Sequence, residues 1–136
     1  GFSLEFRSSS DDKRKAAIEL IKADAQRIGV KRKLEFAFEP FHETSTTACT
    51  PELQALMEDA IASLGYQSIR LPSGAGHDAQ VMAKLCPMAM LFVRCRGGIS
   101  HNPAEFASEA DIGLSVAALA GFIEKLAAEE AKRGAA

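Results

Sequence analysis

Apolar and polar positions alternate over residues 2–7, where Phe2, Leu4 and Phe6 stand between Ser3, Glu5 and Arg7. A period of two is the signature of a half-buried strand. The next signal has a helical period: Ile18, Ile21, Ala25 and Ile28 fall on one stripe, and Gly29 is a natural stop. Ser8, Ser9 and Ser10 offer capping hydroxyls ahead of it, and Asp11 and Asp12 suit the positive end of a helix. Leu34, Phe36 and Phe38 then alternate with Glu35, Ala37 and Glu39, which predicts a second strand ended by Pro40. A strand–helix–strand unit of this size cannot easily bury its apolar faces by itself.

Residues 42–50 are polar and rich in Ser and Thr, a crossing segment and the natural boundary between two parts of the chain. Thr50-Pro51-Glu52 starts a helix, with a capping hydroxyl and proline in the first turn. Leu53, Leu56, Met57, Ala60 and Leu64 form its apolar stripe, and Gly65 closes it. Residues 66–71 read as a strand, 72–76 as a turn, and 78–85 as a short helix broken by Cys86-Pro87. Residues 88–93 are continuously apolar, as in a strand buried on both faces. A glycine-rich loop over 94–106 leads to a last helix. Ser108 with Asp111 resembles a capping box there, and Ile112, Val116, Leu119, Ile123 and Leu126 make the stripe. Strands alternating with helices predict an α/β layer with mainly parallel strands.

Composition narrows the picture by exclusion. The 136 residues are 47% apolar and 25% charged, an ordinary balance for one globular domain. The 18 acids against 16 bases, a net charge of -2, give no reason to expect nucleic acid or an acidic membrane surface as partner. Lys31-Arg32-Lys33 is the densest basic run and reads as a solvated turn. No apolar stretch approaches the roughly 20 residues that span a bilayer. Three cysteines without CxxC spacing point to a reducing cytoplasm rather than a disulfide framework.

Two loops could carry chemistry. Ser73-Gly74-Ala75-Gly76-His77-Asp78 lies after a strand and before a helix, where α/β folds place ligands. Its glycines let the backbone approach an anion, and His77 could donate to a carbonyl oxygen; a glycine turn with a polar cap is the plainer alternative. The glycine spacing does not match a dinucleotide fingerprint. Gly97-Gly98-Ile99-Ser100-His101-Asn102-Pro103-Ala104-Glu105 follows the most apolar strand. A histidine there is well placed as a metal ligand, and Glu105 could orient the loop or the imidazole; one histidine is not by itself a metal site. Arg7 is suited to gripping a carboxylate, or is simply an exposed strand residue. Cys95 has no base beside it in sequence to make it a nucleophile.

The run Leu71-Pro72-Ser73-Gly74-Ala75-Gly76-His77-Asp78-Ala79, then Cys86-Pro87-Met88-Ala89-Met90, then Arg96-Gly97-Gly98-Ile99-Ser100-His101-Asn102-Pro103-Ala104-Glu105, resembles the C-terminal third of the N-carbamoyl-L-amino acid hydrolases, allantoate amidohydrolases and β-alanine synthases. These belong to the zinc aminopeptidase and aminoacylase superfamily. The resemblance implies the C-terminal part of a phosphorylase/hydrolase-like α/β catalytic domain over 44–136. Before it, 1–43 would form the second, β-α-β half of an α+β sandwich lid that also makes a homodimer. It implies hydrolysis of a linear C–N amide in a ureido or carbamoyl substrate, with two divalent metal ions, zinc or manganese, polarising the carbonyl and activating a water. By the same resemblance His101 is a metal ligand and His77 stabilises the reacting carbonyl. Gly74, Ala75 and Gly76 would shape the pocket, and Arg7 would hold the substrate carboxylate. The family's Asp-x-Arg pattern reads Glu5-Phe6-Arg7 here, its acid longer by one carbon. The family's other metal ligands and its general base have no counterpart in these residues. The sequence therefore reads as a piece of a longer protein, not expected to catalyse or to bind metal tightly alone. The rival reading is a non-catalytic interaction module.

Overall fold

The structure is a computed structural model, and it describes residues 1–134. Four helices form: α1 over Asp11–Arg32, α2 over Pro51–Ser63, α3 over Ala79–Met82 and α4 over Glu109–Gly134. A single 3-10 turn occupies Arg96–Gly98. The chain divides into two compact units, one of Gly1–Ala48 with Leu71–Gly76, the other of Cys49–Arg70 with His77–Ala136.

In the first unit, the Ser10 hydroxyl caps α1 by accepting from the Lys13 N–H, and Asp11 and Asp12 occupy the first turn, as the sequence predicts. Gly29 does not stop the helix. It lies inside α1, which ends at Arg32 with Lys33 in the left-handed conformation (φ 55°). The glycine serves a close approach instead. A Cβ at Gly29 would stand 2.7 Å from the carbonyl oxygen of Leu34 and 3.2 Å from the Phe36 ring. Asp11 also accepts the Thr46 N–H at 3.1 Å and an Arg14 N–H at 3.1 Å, and Arg14 reaches Glu43 at 3.4 Å. These bonds fasten the polar segment 43–46 to the first turn of α1. The Thr46 N–H, foremost, and then Arg14 hold the Asp11 carboxyl below its ordinary range.

The segments read as strands at 2–7, 34–39, 66–71 and 88–93 form no β-ladder among the described residues. A strand is completed by hydrogen bonds to a neighbour, and these segments make none to one another. Local alternation is nevertheless visible: the Phe36 and Phe38 rings stack on one side, 6.3 Å between centroids, close to the repeat of an extended chain. Phe2, Leu4, Leu34, Phe36 and Phe38 remain exposed, as the inner face of an unfinished sheet would be.

In the second unit, α2 begins at Pro51 and runs to Ser63, and Gly65 just beyond it is left-handed (φ 83°) and closes it, as the sequence predicts. Thr50 does not cap α2 with its hydroxyl. The Thr50 N–H donates to the Met88 carbonyl at 2.8 Å, and the Thr50 hydroxyl accepts the Met88 N–H at 3.0 Å, so the start of 88–93 is pinned beside the start of α2. The helix expected over 78–85 is one turn only, Ala79–Met82, continued by turns. The core of this unit lies between α2 and α4, where Met57, Ala60 (2% exposed) and Ala118 (3% exposed) are buried. Of the stripe expected to be buried on α4, only Leu126 is half-buried. Ile112, Val116 (62% exposed), Leu119 and Ile123 face away from the core. Leu114, Ala118 and Phe122 lie on the buried side, and a Cβ at Gly121 would stand 3.6 Å from the Ala60 methyl. Small residues let two helices approach closely, and that closeness decides the face.

Candidate functional site

Arg7 lies in the first unit and has two partners. Its Nε–H donates to Glu5 Oε1 at 2.7 Å, and Nη1 donates to the Gly74 carbonyl oxygen at 2.6 Å, across 67 positions of sequence. Period-two geometry puts Glu5 and Arg7 on one face of the segment, which is the sequence signal for the first bond. The second bond has no sequence signal. The Arg7 hydrogen bond and charge hold the Glu5 carboxyl below its usual range, and Glu5 raises the Arg7 guanidinium in turn.

The loop that begins at Ser73 is ordered by its own serine. The Ser73 hydroxyl accepts the Ala75 N–H at 3.2 Å, so that amide is already engaged rather than turned toward a ligand. A Cβ at Gly74 would meet nothing within 4 Å, and the backbone there needs no left-handed φ. His77 opens the second unit's next stretch, where its carbonyl accepts the Gln80 N–H at 2.9 Å and begins the single turn of α3.

The His101 loop closes on itself. The Arg96 N–H donates to the Phe106 carbonyl at 2.8 Å, and the Arg96 guanidinium lies 4.1 Å from the centre of the Phe106 ring. Gly97 and Gly98 have φ of 64° and 68°, turning the chain where a side chain would be strained. The Asn102 side-chain oxygen accepts the Ala104 N–H at 2.9 Å. His101 is itself left-handed, with φ 55°, and its N–H donates to Glu105 Oε2 at 2.8 Å. Glu105 thus acts on the main chain of His101 and holds a conformation that few residues other than glycine adopt. The closing pair Arg96 and Phe106 went unread in the sequence, because residues ten apart carry no local period.

The donor set is short of a metal centre. Zinc takes about four ligands. Among the described residues no three His, Cys, Asp or Glu side chains gather to hold an ion, and a Glu105 oxygen is committed to His101 N–H. These residues do not by themselves fit a metal ion. Among the described residues no helix is long and apolar enough to cross a membrane.

A sequence model of Peptidase family M20/M25/M40 matches residues 8–125. The chain is 37% identical over 131 residues to an allantoate deiminase of Arabidopsis thaliana, covering 90% of this chain and 25% of that protein. It is 32% identical over 129 residues to an N-carbamoyl-L-amino acid amidohydrolase of Geobacillus stearothermophilus, covering 95% of this chain and 32% of that protein. An allantoate amidohydrolase of Bacillus subtilis is 42% identical over 73 residues, covering 54% of this chain and 18% of that protein. The chain therefore spans about a quarter to a third of the length of the first two relatives. With most of its length matched, from the segment after Arg7 through both loops and into α4, the chain belongs to Peptidase family M20/M25/M40.

Proposed function

We propose that this chain supplies part of the active site of an amidohydrolase that cleaves a linear C–N amide in a ureido or carbamoyl acid. The observation that carries the reading is the likeness, over nearly the whole chain, to relatives named for allantoate and for N-carbamoyl amino acids. Both substrates pair a carboxylate with a ureido carbonyl. Arg7 anchors the carboxylate, as a planar, permanently charged fork can. His77 donates to the carbonyl oxygen as negative charge develops there, with Gly74, Ala75 and Gly76 shaping the wall of the pocket. His101 offers one imidazole to a divalent centre, zinc or manganese, whose remaining ligands lie outside this chain, and Glu105 fixes the loop that presents it.

In the same reading, 1–43 is half of a lid domain and 44–136 part of an α/β catalytic domain, whose strands form once further chain completes the sheet. The alternation around Phe36 and Phe38 supports this. The exposed Phe2, Leu4, Leu34, Phe36 and Phe38 support self-association through the lid, as a homodimer. The three free cysteines support a cytoplasmic setting.

The test is made in the whole protein that carries this chain. His77→Ala should lower kcat by about 10²–10³-fold, the usual loss for one oxyanion donor, with bound metal unchanged. His101→Ala should lower the metal content measured by elemental analysis. Loss of metal in His77→Ala, or full metal in His101→Ala, would overturn the assigned roles.

A further inference from the structure

Arg7 sits on an exposed segment, where a flexible guanidinium makes a poor anchor unless something fixes its direction. Two groups do so. Glu5 takes the Nε–H at 2.7 Å, and the Gly74 carbonyl takes Nη1 at 2.6 Å. Both lie with Arg7 in one compact unit. Nη2 makes no hydrogen bond among the described residues, so this end of the fork still has its donors available. The Gly74 carbonyl belongs to the loop that runs on through Ala75 and Gly76 to His77. The seat of the guanidinium and the course of that loop therefore share one hydrogen bond.

We propose that Glu5 is a positioning residue for Arg7. It holds the guanidinium on the Gly74 carbonyl, so that the Nη2 end is presented to the carboxylate of a ureido or carbamoyl acid. The inference rests on the reading of Arg7 as the carboxylate anchor. Glutamate suits the task because its carboxylate reaches Nε from the same face of the segment, two residues away. Glutamine at this position keeps the shape and loses the charge that fixes the fork.

The experiment uses the whole protein carrying this chain and compares an N-carbamoyl amino acid with its carboxamide analogue, in which the carboxylate is neutral. Glu5→Gln should raise KM for the acid about three- to tenfold, as expected for one charge-assisted bond at an exposed site, with kcat and the carboxamide kinetics little changed. Glu5→Asp should recover part of the loss. Arg7→Ala should abolish the preference for acid over carboxamide. If Arg7→Ala does so while Glu5→Gln keeps the full preference, the positioning role is wrong and the anchor stands. If Arg7→Ala leaves the preference intact, the anchor reading fails and the positioning role with it. Equal losses on acid and carboxamide in Glu5→Gln would mark a merely structural residue and overturn the proposal.

Discussion

Gly65 and Lys33 do the same work at the ends of two helices. After α2, the Gly65 N–H donates to Ala62 O at 2.9 Å and the Tyr66 N–H to Ile61 O at 3.3 Å, the paired bonds of a Schellman ending. After α1, the Leu34 N–H donates to Gly29 O at 2.9 Å, and the left-handed position is filled by Lys33. A left-handed lysine costs about 1–2 kcal/mol relative to glycine, offset in part by the greater freedom of glycine in the unfolded chain. Lys33→Gly should therefore stabilise the first unit by about 0.5–1 kcal/mol. Gly29→Ala should act in the opposite direction. Alanine is the better helix former by about 1 kcal/mol, but its methyl would press on the Leu34 carbonyl, a backbone atom that cannot move without breaking the cap. Urea unfolding followed by circular dichroism gives both signs, and a stabilising Gly29→Ala would refute the account. The sequence showed that a helix ends near here. It did not show which residue takes the left-handed turn, because lysine carries no such signal.

Helix α4 is apolar on more than one face, and its two ends of control differ. Its start is legible in the sequence. The Asp111 N–H donates to the Ser108 hydroxyl at 3.1 Å, the hydroxyl donates to Asp111 Oδ2 at 2.6 Å, and Arg94 Nε donates to Oδ1 at 2.7 Å. The Ser108 hydroxyl first, and Arg94 with it, hold the Asp111 carboxyl below its ordinary value. A carboxyl depressed in the folded state adds stability above its unfolded pKa of about 4, and that stability is lost as pH falls through the lower folded value. Acid titration below about pH 4 should therefore fray the first turn of α4, and Arg94→Ala should move the fraying to higher pH. Amide exchange at Ile112 reads it; an unchanged midpoint in the variant would contradict the claim. The buried face of α4 is a different matter. Ala118 is buried where α4 packs on α2, so Ala118→Leu should cost about 1–3 kcal/mol by overpacking, whereas Val116→Ser should change stability by about 0.5 kcal/mol or less. Denaturant midpoints decide between the faces. If Val116→Ser is the costly change, the other stripe carries the core.

At the scale of the whole molecule, the described chain leaves an unusual amount of large apolar surface uncovered, including Phe2, Ile69, Leu71, Val116 and Ile123. The chain should bind a hydrophobic dye and associate as its concentration rises, a behaviour that sedimentation velocity measures. A monomer at every concentration without dye binding would show that these faces are covered in some other way. The sequence by itself determined where helices begin and end to within a turn or so, the capping of α1 and α4, the two loops and their order, and through them the family. These are local matters, set by spacing, caps and turn chemistry. Only the tertiary structure decided the rest. It chose the face of α4 through the close approach of Ala60, Ala118 and Gly121. It turned Thr50 away from capping and onto Met88. It seated Arg7 on the Gly74 carbonyl, and it left the alternating segments without a ladder among the described residues. Each of those depends on which distant surface arrives, and a period along the chain records the presence of a face but not its partner.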